Sequence, residues 1–360
     1  MRIITIIGAR PQFIKAAIVS HAIRQHNACS SVQIEETLLH TGQHYDYNMS
    51  QIFFEELNIP APRWHLSCND CTVEQMRDAI VPLIDGNADY IMVYGDTNST
   101  LAGTLAAEQC RIPVIHIEAG LRSFNPHMAE EHNRIETDRR SRLLFCPTRT
   151  AVENLRREGI TQGVYMTGDV MYDASIFFTE QAHQRSCLLD SLQVATKQYL
   201  LATIHRAETT DHLEKIANIL RAFAQISHPI ILPLHPRTQK MIDSSSLLTG
   251  LLHAASNVRI IHSVSYTDMQ LLEHHAMCIL TDSGGVQKEA YFHRVPCVTM
   301  REETEWVETV QTGWNTLVGT DTQQIVDTVR NLSTPATTIS EYGNGHAAEQ
   351  IIELLLCQNA

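Results

Sequence analysis

Short β-branched runs alternate with longer amphipathic stretches along the whole chain, the pattern of a parallel sheet whose strands are each followed by a covering helix. Ile3–Ile7 reads as a buried strand and Gln12–Gln25 as a helix after Pro11. Leu38–Leu39 ends a second strand before the loop Thr41-Gly42-Gln43-His44. Strands at Tyr90–Tyr94, Val114–Ile117, Leu143–Cys146 and Val164–Thr167 continue the series, with a helix at Thr100–Cys110. The rhythm then breaks into a helical connector, Tyr172–Leu192. A second series has strands at Tyr199–Ile204, Pro229–Pro233, Val258–Ile261, Met277–Leu280 and Pro296–Met300, and a closing strand near Thr316–Val318. Its helices fall at Leu213–Ile226 and Tyr266–His274, and a last helix, Ala347–Cys357, follows the turn Tyr342-Gly343-Asn344-Gly345.

A chain of 360 residues is long for one core, and two domains are expected, residues 1–171 and 172–345. Both read as Rossmann-like α/β halves with parallel sheets, and an interdomain cleft is where ligands of such sheets sit. Twenty-seven Lys and Arg against forty Asp and Glu give a net charge of −13. That balance argues against nucleic acid or an anionic membrane as partner, yet permits a local basic pocket. No apolar run reaches the roughly 20 residues that cross a bilayer. Met1-Arg2-Ile3-Ile4-Thr5-Ile6-Ile7-Gly8 reads as a strand entering a turn rather than as a signal peptide. Nine cysteines, an odd number with no secretion signal, read as reduced thiols. The expectation is a soluble cytoplasmic protein.

Two strand–turn–helix segments carry anion chemistry. In Gly8-Ala9-Arg10-Pro11-Gln12-Phe13-Ile14-Lys15 a glycine turn leads into a helix with proline near its first position, where free amides favour an anion and Arg10 and Lys15 add positive charge. In Asp282-Ser283-Gly284-Gly285-Val286-Gln287-Lys288-Glu289, Ser283 or Asp282 can cap the helix and Gly284 and Gly285 admit a phosphate. Glu289 lies further in, suited to a ribose's hydroxyls. One such turn in each half points to a nucleotide diphosphate.

Three carboxylate segments end strands of the first half: Asp96 in Gly95-Asp96-Thr97-Asn98-Ser99-Thr100, Glu118 in His116-Ile117-Glu118-Ala119-Gly120, and Glu130-Glu131. Taken alone, Asp96 reads first as an N-cap of the following helix. Carboxylates converging on one site raise one another's pKa, which suits proton transfer near neutrality. In the second half, His205-Arg206 and His235-Pro236-Arg237 each follow an apolar strand, where histidine and arginine bind phosphate oxygens and histidine protonates a leaving group. Cys68-Asn69-Asp70-Cys71 lacks a second pair for zinc, and the nineteen histidines, His274-His275 among them, show no metal-binding spacing. No metal and no cofactor are expected.

These segments, with T-G-Q-H at 41–44, E-E-H-N-R at 130–134, T-I-H-R-A-E at 203–208 and R-E-E-T-E-W at 301–306, resemble the non-hydrolysing UDP-N-acetylglucosamine 2-epimerase family along nearly the whole chain. The resemblance implies a glycosyltransferase-B-like pair of domains, with the last helix (346–360) returning to the first and the second domain binding UDP. It implies an isomerase acting on a UDP-sugar by elimination and re-addition of UDP. Asp96, Glu118, Glu130 and His205 are its implied catalytic residues. Arg10, Lys15, His235, Ser283, Gly284, Gly285, Glu289 and Arg301 are its implied UDP contacts, and Gln43 and His44 match a regulatory loop of some relatives. Family members are commonly homodimers. G-A-R-P-Q, T-I-H-R-A-E and E-T-E-W-V-E look most like the branch that converts UDP-2,3-diacetamido-2,3-dideoxy-glucuronate to the mannuronate for surface polysaccharides such as O antigen. Thr209 and Thr137-Asp138-Arg139-Arg140 depart from that branch, the extra arginine reading as a surface residue or as a partner for a uronate carboxylate. A glycosyltransferase of the same architecture is the alternative.

Overall fold

The computed structural model describes residues 1–44, 50–84, 86, 88–336 and 340–358. The chain divides into two compact units, Met1–Ala174 with Ser340–Ala360, and Ser175–Ile339.

The first unit runs β1 (Arg2–Ile7), α1 (Arg10–Cys29), β2 (Glu35–His40), α2 (Gln51–Glu56), β3 (Trp64–His65), α3 (Val73–Ile84) and β4 (Tyr90–Tyr94). It continues with α4 (Asn98–Gln109), β5 (Val114–Ile117), α5 (Ala129–Arg140), β6 (Leu143–Cys146), α6 (Arg149–Arg157) and β7 (Val164–Met166). Its seven strands lie in the order β3-β2-β1-β4-β5-β6-β7, every neighbouring pair parallel. The order reverses between β1 and β4, so Gly8 and Gly95 leave their strands side by side at the carboxyl edge, the ligand position of a doubly wound sheet.

The expected single connector is two helices, α7 (Val170–Arg185) and α8 (Leu188–Leu192). They part at Ser186, whose Oγ donates to Asp268 Oδ1 (2.5 Å) and accepts from the Leu188 amide (3.2 Å). A serine bonding its own local backbone in this way competes with helix continuation.

The second unit follows with β8 (Leu200–Thr203), α9 (Ala207–Thr210), α10 (Leu213–Gln225), β9 (Ile230–Leu234), α11 (Pro236–Asp243), α12 (Ser246–Ala254) and β10 (Val258–His262). Then come α13 (Tyr266–His275), β11 (Cys278–Thr281), α14 (Gly284–Phe292), β12 (Cys297–Thr299), α15 (Val307–Gln311), β13 (Asn315–Leu317) and α16 (Thr322–Arg330). Its strand order, β10-β9-β8-β11-β12-β13, repeats the plan of the first sheet, again wholly parallel. Leu200 and Ala202 of β8 pack into a core with Ile216, Leu220 and Phe223 of α10. Leu201 packs on the other side with Leu272 and Ala290. Burial on both faces is why these strands read as continuous apolar runs. The reversal between β8 and β11 sets His205 beside Asp282.

The final helix, α17 (Ala347–Cys357), packs on α1 in the first unit. Its start is held by Asp173 of α7, whose Oδ2 accepts the Ala348 amide at 2.8 Å. Among the described residues no helix is long and apolar enough to cross a membrane.

Candidate active site

In the first unit the switch point gathers a compact set of charges. Lys15 Nζ, one turn into α1, reaches Glu118 Oε1 at 2.5 Å, with side-chain exposures of only 7% and 11%. Glu118 ends β5 with φ of 71°, the left-handed region that side chains rarely occupy, and such strain persists only where the surroundings over-determine it. Gly95 turns at φ 63°, and a Cβ there would stand 3.2 Å from Glu118 Oε1 and 3.3 Å from Lys15 Nζ. Glycine at the end of β4 is what lets the ion pair close over the turn.

Asp96 is not the N-cap of α4. Thr97 holds that place, its hydroxyl accepting from the Thr100 amide, and the Asp96 carboxylate instead meets Arg134 Nη2 at 2.5 Å. Loss of water around Asp96 pushes its carboxyl above the ordinary range, against the pull of Arg134, with the charge of Glu118 adding to the rise. Arg134 also bonds Glu131 at 3.1 Å. Glu130 and Glu131 then divide sharply. Glu130 is exposed and Glu131 buried, the latter accepting the Ser123 amide (2.8 Å), the Ser123 hydroxyl (2.9 Å) and the Phe124 amide (3.0 Å). Glu131 therefore shapes the loop entering α5, while Glu130 is left exposed.

A buried network beneath these groups escaped the sequence reading. His116 has one ring nitrogen 2.7 Å from Asp138 Oδ1 and the other 2.8 Å from the Gly95 carbonyl. Asp138 also accepts the Gly120 amide (3.1 Å) and Arg122 Nη1 (2.7 Å), and Arg122 makes a two-pronged pair with Glu158. The network ties the Gly95 turn to the Glu118–Gly120 turn, fixing the geometry between them. Arg139 is exposed and pairs with Glu136 on the α5 surface.

The α1 start differs from expectation. The Gly8 and Ala9 amides both donate to Gln12 Oε1, at 2.8 and 3.0 Å, and the Arg10 amide donates to His44 Nδ1 at 3.1 Å. Those amides are spent on the protein's own side chains, so an anion there would rest on the Arg10 side chain, which lies over the Phe53 ring. Gln43 Oε1 accepts both the amide and hydroxyl of Ser99. Gln43 and His44 thus bind their loop to the starts of α4 and α1.

In the second unit Asp282 is fully buried. Its carboxylate does not cap α14. It accepts the His205 amide at 3.1 Å and the Arg206 amide at 3.0 Å, with His205 Nδ1 at 3.7 Å. Ser283 is the N-cap residue but makes no side-chain cap bond, which leaves this helix start uncapped by its own side chain. Gly285 has open space where a Cβ would stand, whereas Gly284 faces Glu305 Oε1 at 2.4 Å from that position and its carbonyl accepts Trp306 Nε1 at 2.9 Å. Arg301 pairs with Glu305 at 3.3 Å.

The His205 and His235 rings are neighbours, 5.7 Å between centroids, and His235 Nδ1 accepts the Arg237 amide as the cap of α11. The arginines beside them are engaged elsewhere, Arg206 with Glu208 and Arg237 with Asp211. Glu289 is buried inside α14, near Tyr266, whose hydroxyl is driven well above its usual pKa by burial and then by the Glu289 charge. A cavity of about 200 Å³ is lined by Arg206, Lys215 and Arg301 with Glu208, Glu302 and Glu303.

A model of the UDP-N-acetylglucosamine 2-epimerase family matches residues 27–356. A Methanococcus maripaludis protein named UDP-N-acetylglucosamine 2-epimerase homolog is 45% identical over 99% of each chain. The UDP-2,3-diacetamido-2,3-dideoxy-D-glucuronate 2-epimerase of Pseudomonas aeruginosa is 44% identical, also over 99% of each chain. Among solved structures, Methanocaldococcus jannaschii UDP-GlcNAc 2-epimerase in complex with UDP-GlcNAc and UDP superposes with a TM-score of 0.83 at 36% identity, covering 99% of this chain and 100% of that one.

Proposed function

The chain belongs to the UDP-N-acetylglucosamine 2-epimerase family, isomerases of UDP-sugars, and we propose that its own substrate is UDP-2,3-diacetamido-2,3-dideoxy-D-glucuronate. The observation that carries the choice is the full-length match to the Pseudomonas enzyme of that name. The product, epimeric at C2, would be a mannuronate-type sugar nucleotide for surface polysaccharide. We assign a cytoplasmic homodimer as the working state, on the habit of the family.

The C2 hydrogen of such a sugar has no adjacent carbonyl to acidify it. We assign a step in which the C1–O bond breaks, its electron pair leaving with UDP. A base takes the C2 proton, and the C–H pair becomes the C1–C2 double bond of a glycal. Re-addition of UDP at C1, with a proton delivered to the opposite face of C2, completes the inversion. Asp96, Glu118 and Glu130 are the assigned proton carriers, with His205 acting on the leaving group. The uncapped start of α14, with Gly285 open beside it, is the assigned seat of the diphosphate, where amides stabilise departing negative charge.

Proton NMR of the purified protein with each UDP-sugar separately, and no acceptor, tests the reading. A new mannose-type anomeric signal from the diacetamido uronate and little from UDP-N-acetylglucosamine supports it. The reverse preference would reassign the substrate, and transfer that requires an added acceptor would favour a glycosyltransferase.

A further inference from the structure

Three histidines that the sequence keeps apart meet on the surface of the second unit. His183 stands near the end of α7, and His274 and His275 close α13; their ligand nitrogens all lie within 4.8 Å of one another. His183 Nε2 and His275 Nε2 are 2.8 Å apart. The rings are set edge to face, with centroids 5.4 Å apart for His183–His274 and 5.0 Å for His183–His275. Among the described residues no other group of three metal-binding side chains is this compact.

The closest pair is already near the spacing around a coordinated ion. Nitrogens bound tetrahedrally at about 2.0–2.1 Å from zinc lie ~3.3 Å from each other, so the closest pair must part by only about half an ångström. His275 is already oriented for the task, with Nδ1 2.8 Å from Thr196 Oγ1, which turns Nε2 outward as a second-sphere partner does in metal sites. Both α13 histidines sit at a helix C-terminus, whose partial negative charge favours a cation. One feature opposes a cation: the Lys197 ammonium, held on the carbonyls of His274 and Ala276 at 2.8 Å each.

We propose that His183, His274 and His275 form a site for one borderline divalent transition-metal ion of the zinc, nickel or copper class, clamping the end of α7 to the end of α13. An all-imidazole donor set suits these ions and not magnesium or calcium. The site shares no residue with the carboxylates and glycine turns assigned to the reaction. Its consequence is mechanical, because the ion crosslinks α7 to the body of the second unit.

Full-length, tag-free protein stripped with a chelator and titrated with Zn²⁺ alone provides the test. One equivalent should bind and raise the midpoint of thermal unfolding, and Co²⁺ loaded into the stripped protein in its place should give the intense visible bands of a four-coordinate site. His183→Gln, which alters an exposed side chain, should weaken binding at least about tenfold while its metal-free unfolding stays that of wild type. Equal zinc affinity in wild type and the His183→Gln/His275→Gln variant would overturn the proposal. So would the absence of any zinc-dependent shift in wild-type unfolding.

Discussion

Lys15 Nζ lies 2.5 Å from Glu118 Oε1 in a nearly dry pocket, and Glu118 is held there in a left-handed backbone conformation. Breaking a buried pair from one side strands the other charge. Lys15→Met should therefore destabilise the fold by roughly 3–5 kcal/mol, and adding Glu118→Gln should recover most of that loss. Denaturant titration of both variants decides it, since a double variant as unstable as the single one would show that the charges are not coupled.

Glu118→Gln alone keeps the side chain's shape and removes its charge. If Glu118 moves a proton at C2, turnover should fall at least roughly a hundredfold. Near-normal turnover would remove Glu118 from the chemistry. Wild-type enzyme run in deuterated water should place deuterium at C2 of the sugar, and a product free of deuterium would exclude proton exchange with solvent.

The charge of Arg134 draws the Asp96 carboxyl down, while loss of water and the charge of Glu118 push it up more strongly. Arg134→Met removes the larger of the two downward pulls, the other being that of Lys15. The acidic limb of the pH–rate profile should then move to higher pH, because Asp96 gives up its proton later. An unmoved limb would assign that limb to another group.

Asp173 is pushed up to about 6, chiefly by burial, against ~3.9 for an unfolded aspartate. A raised acid favours folding fully below its unfolded pKa and loses that advantage as pH climbs through the folded value. The wild-type fold should thus lose stability from this group between about pH 4 and 6. Asp173→Asn keeps an acceptor for the Ala348 amide and cannot ionise, so it should gain on wild type across that window by up to about 3 kcal/mol. Parallel stability curves for the two proteins would refute the assignment.

Glu131 binds the Ser123 and Phe124 amides that shape the loop before α5. Glu131→Ala should cost roughly 2–3 kcal/mol and abolish hydrogen-exchange protection at those amides. Retained protection would mean that the loop is fixed by something else.

The sheets were legible because their strands are buried on both faces. Val114–Ile117 and Leu143–Cys146 emerge from the apolar pattern with the bounds they have in the fold. Helix α5 was not, for a physical reason. Its buried residues are Glu131, Asn133, Thr137 and Asp138, so hydrophobic periodicity has nothing to register. The glycine turns of the motifs fall at the carboxyl ends of their strands, since glycine turns after apolar strands are local features. What each side chain does there depended on distant partners. Gln12 consumes the amides expected to be free, Asp282 turns from its own helix to that of a neighbouring strand's loop, and His183 meets His274 from ninety-one residues away.

Helix α17 seats Ile351, Ile352 and Leu355 in the interior of the first unit after the chain has already traversed Ser175–Ile339. During synthesis the first unit must therefore wait, incomplete, until the entire second one has left the ribosome. A nascent chain stalled before residue 347 would leave bare the face of α1 on which α17 packs.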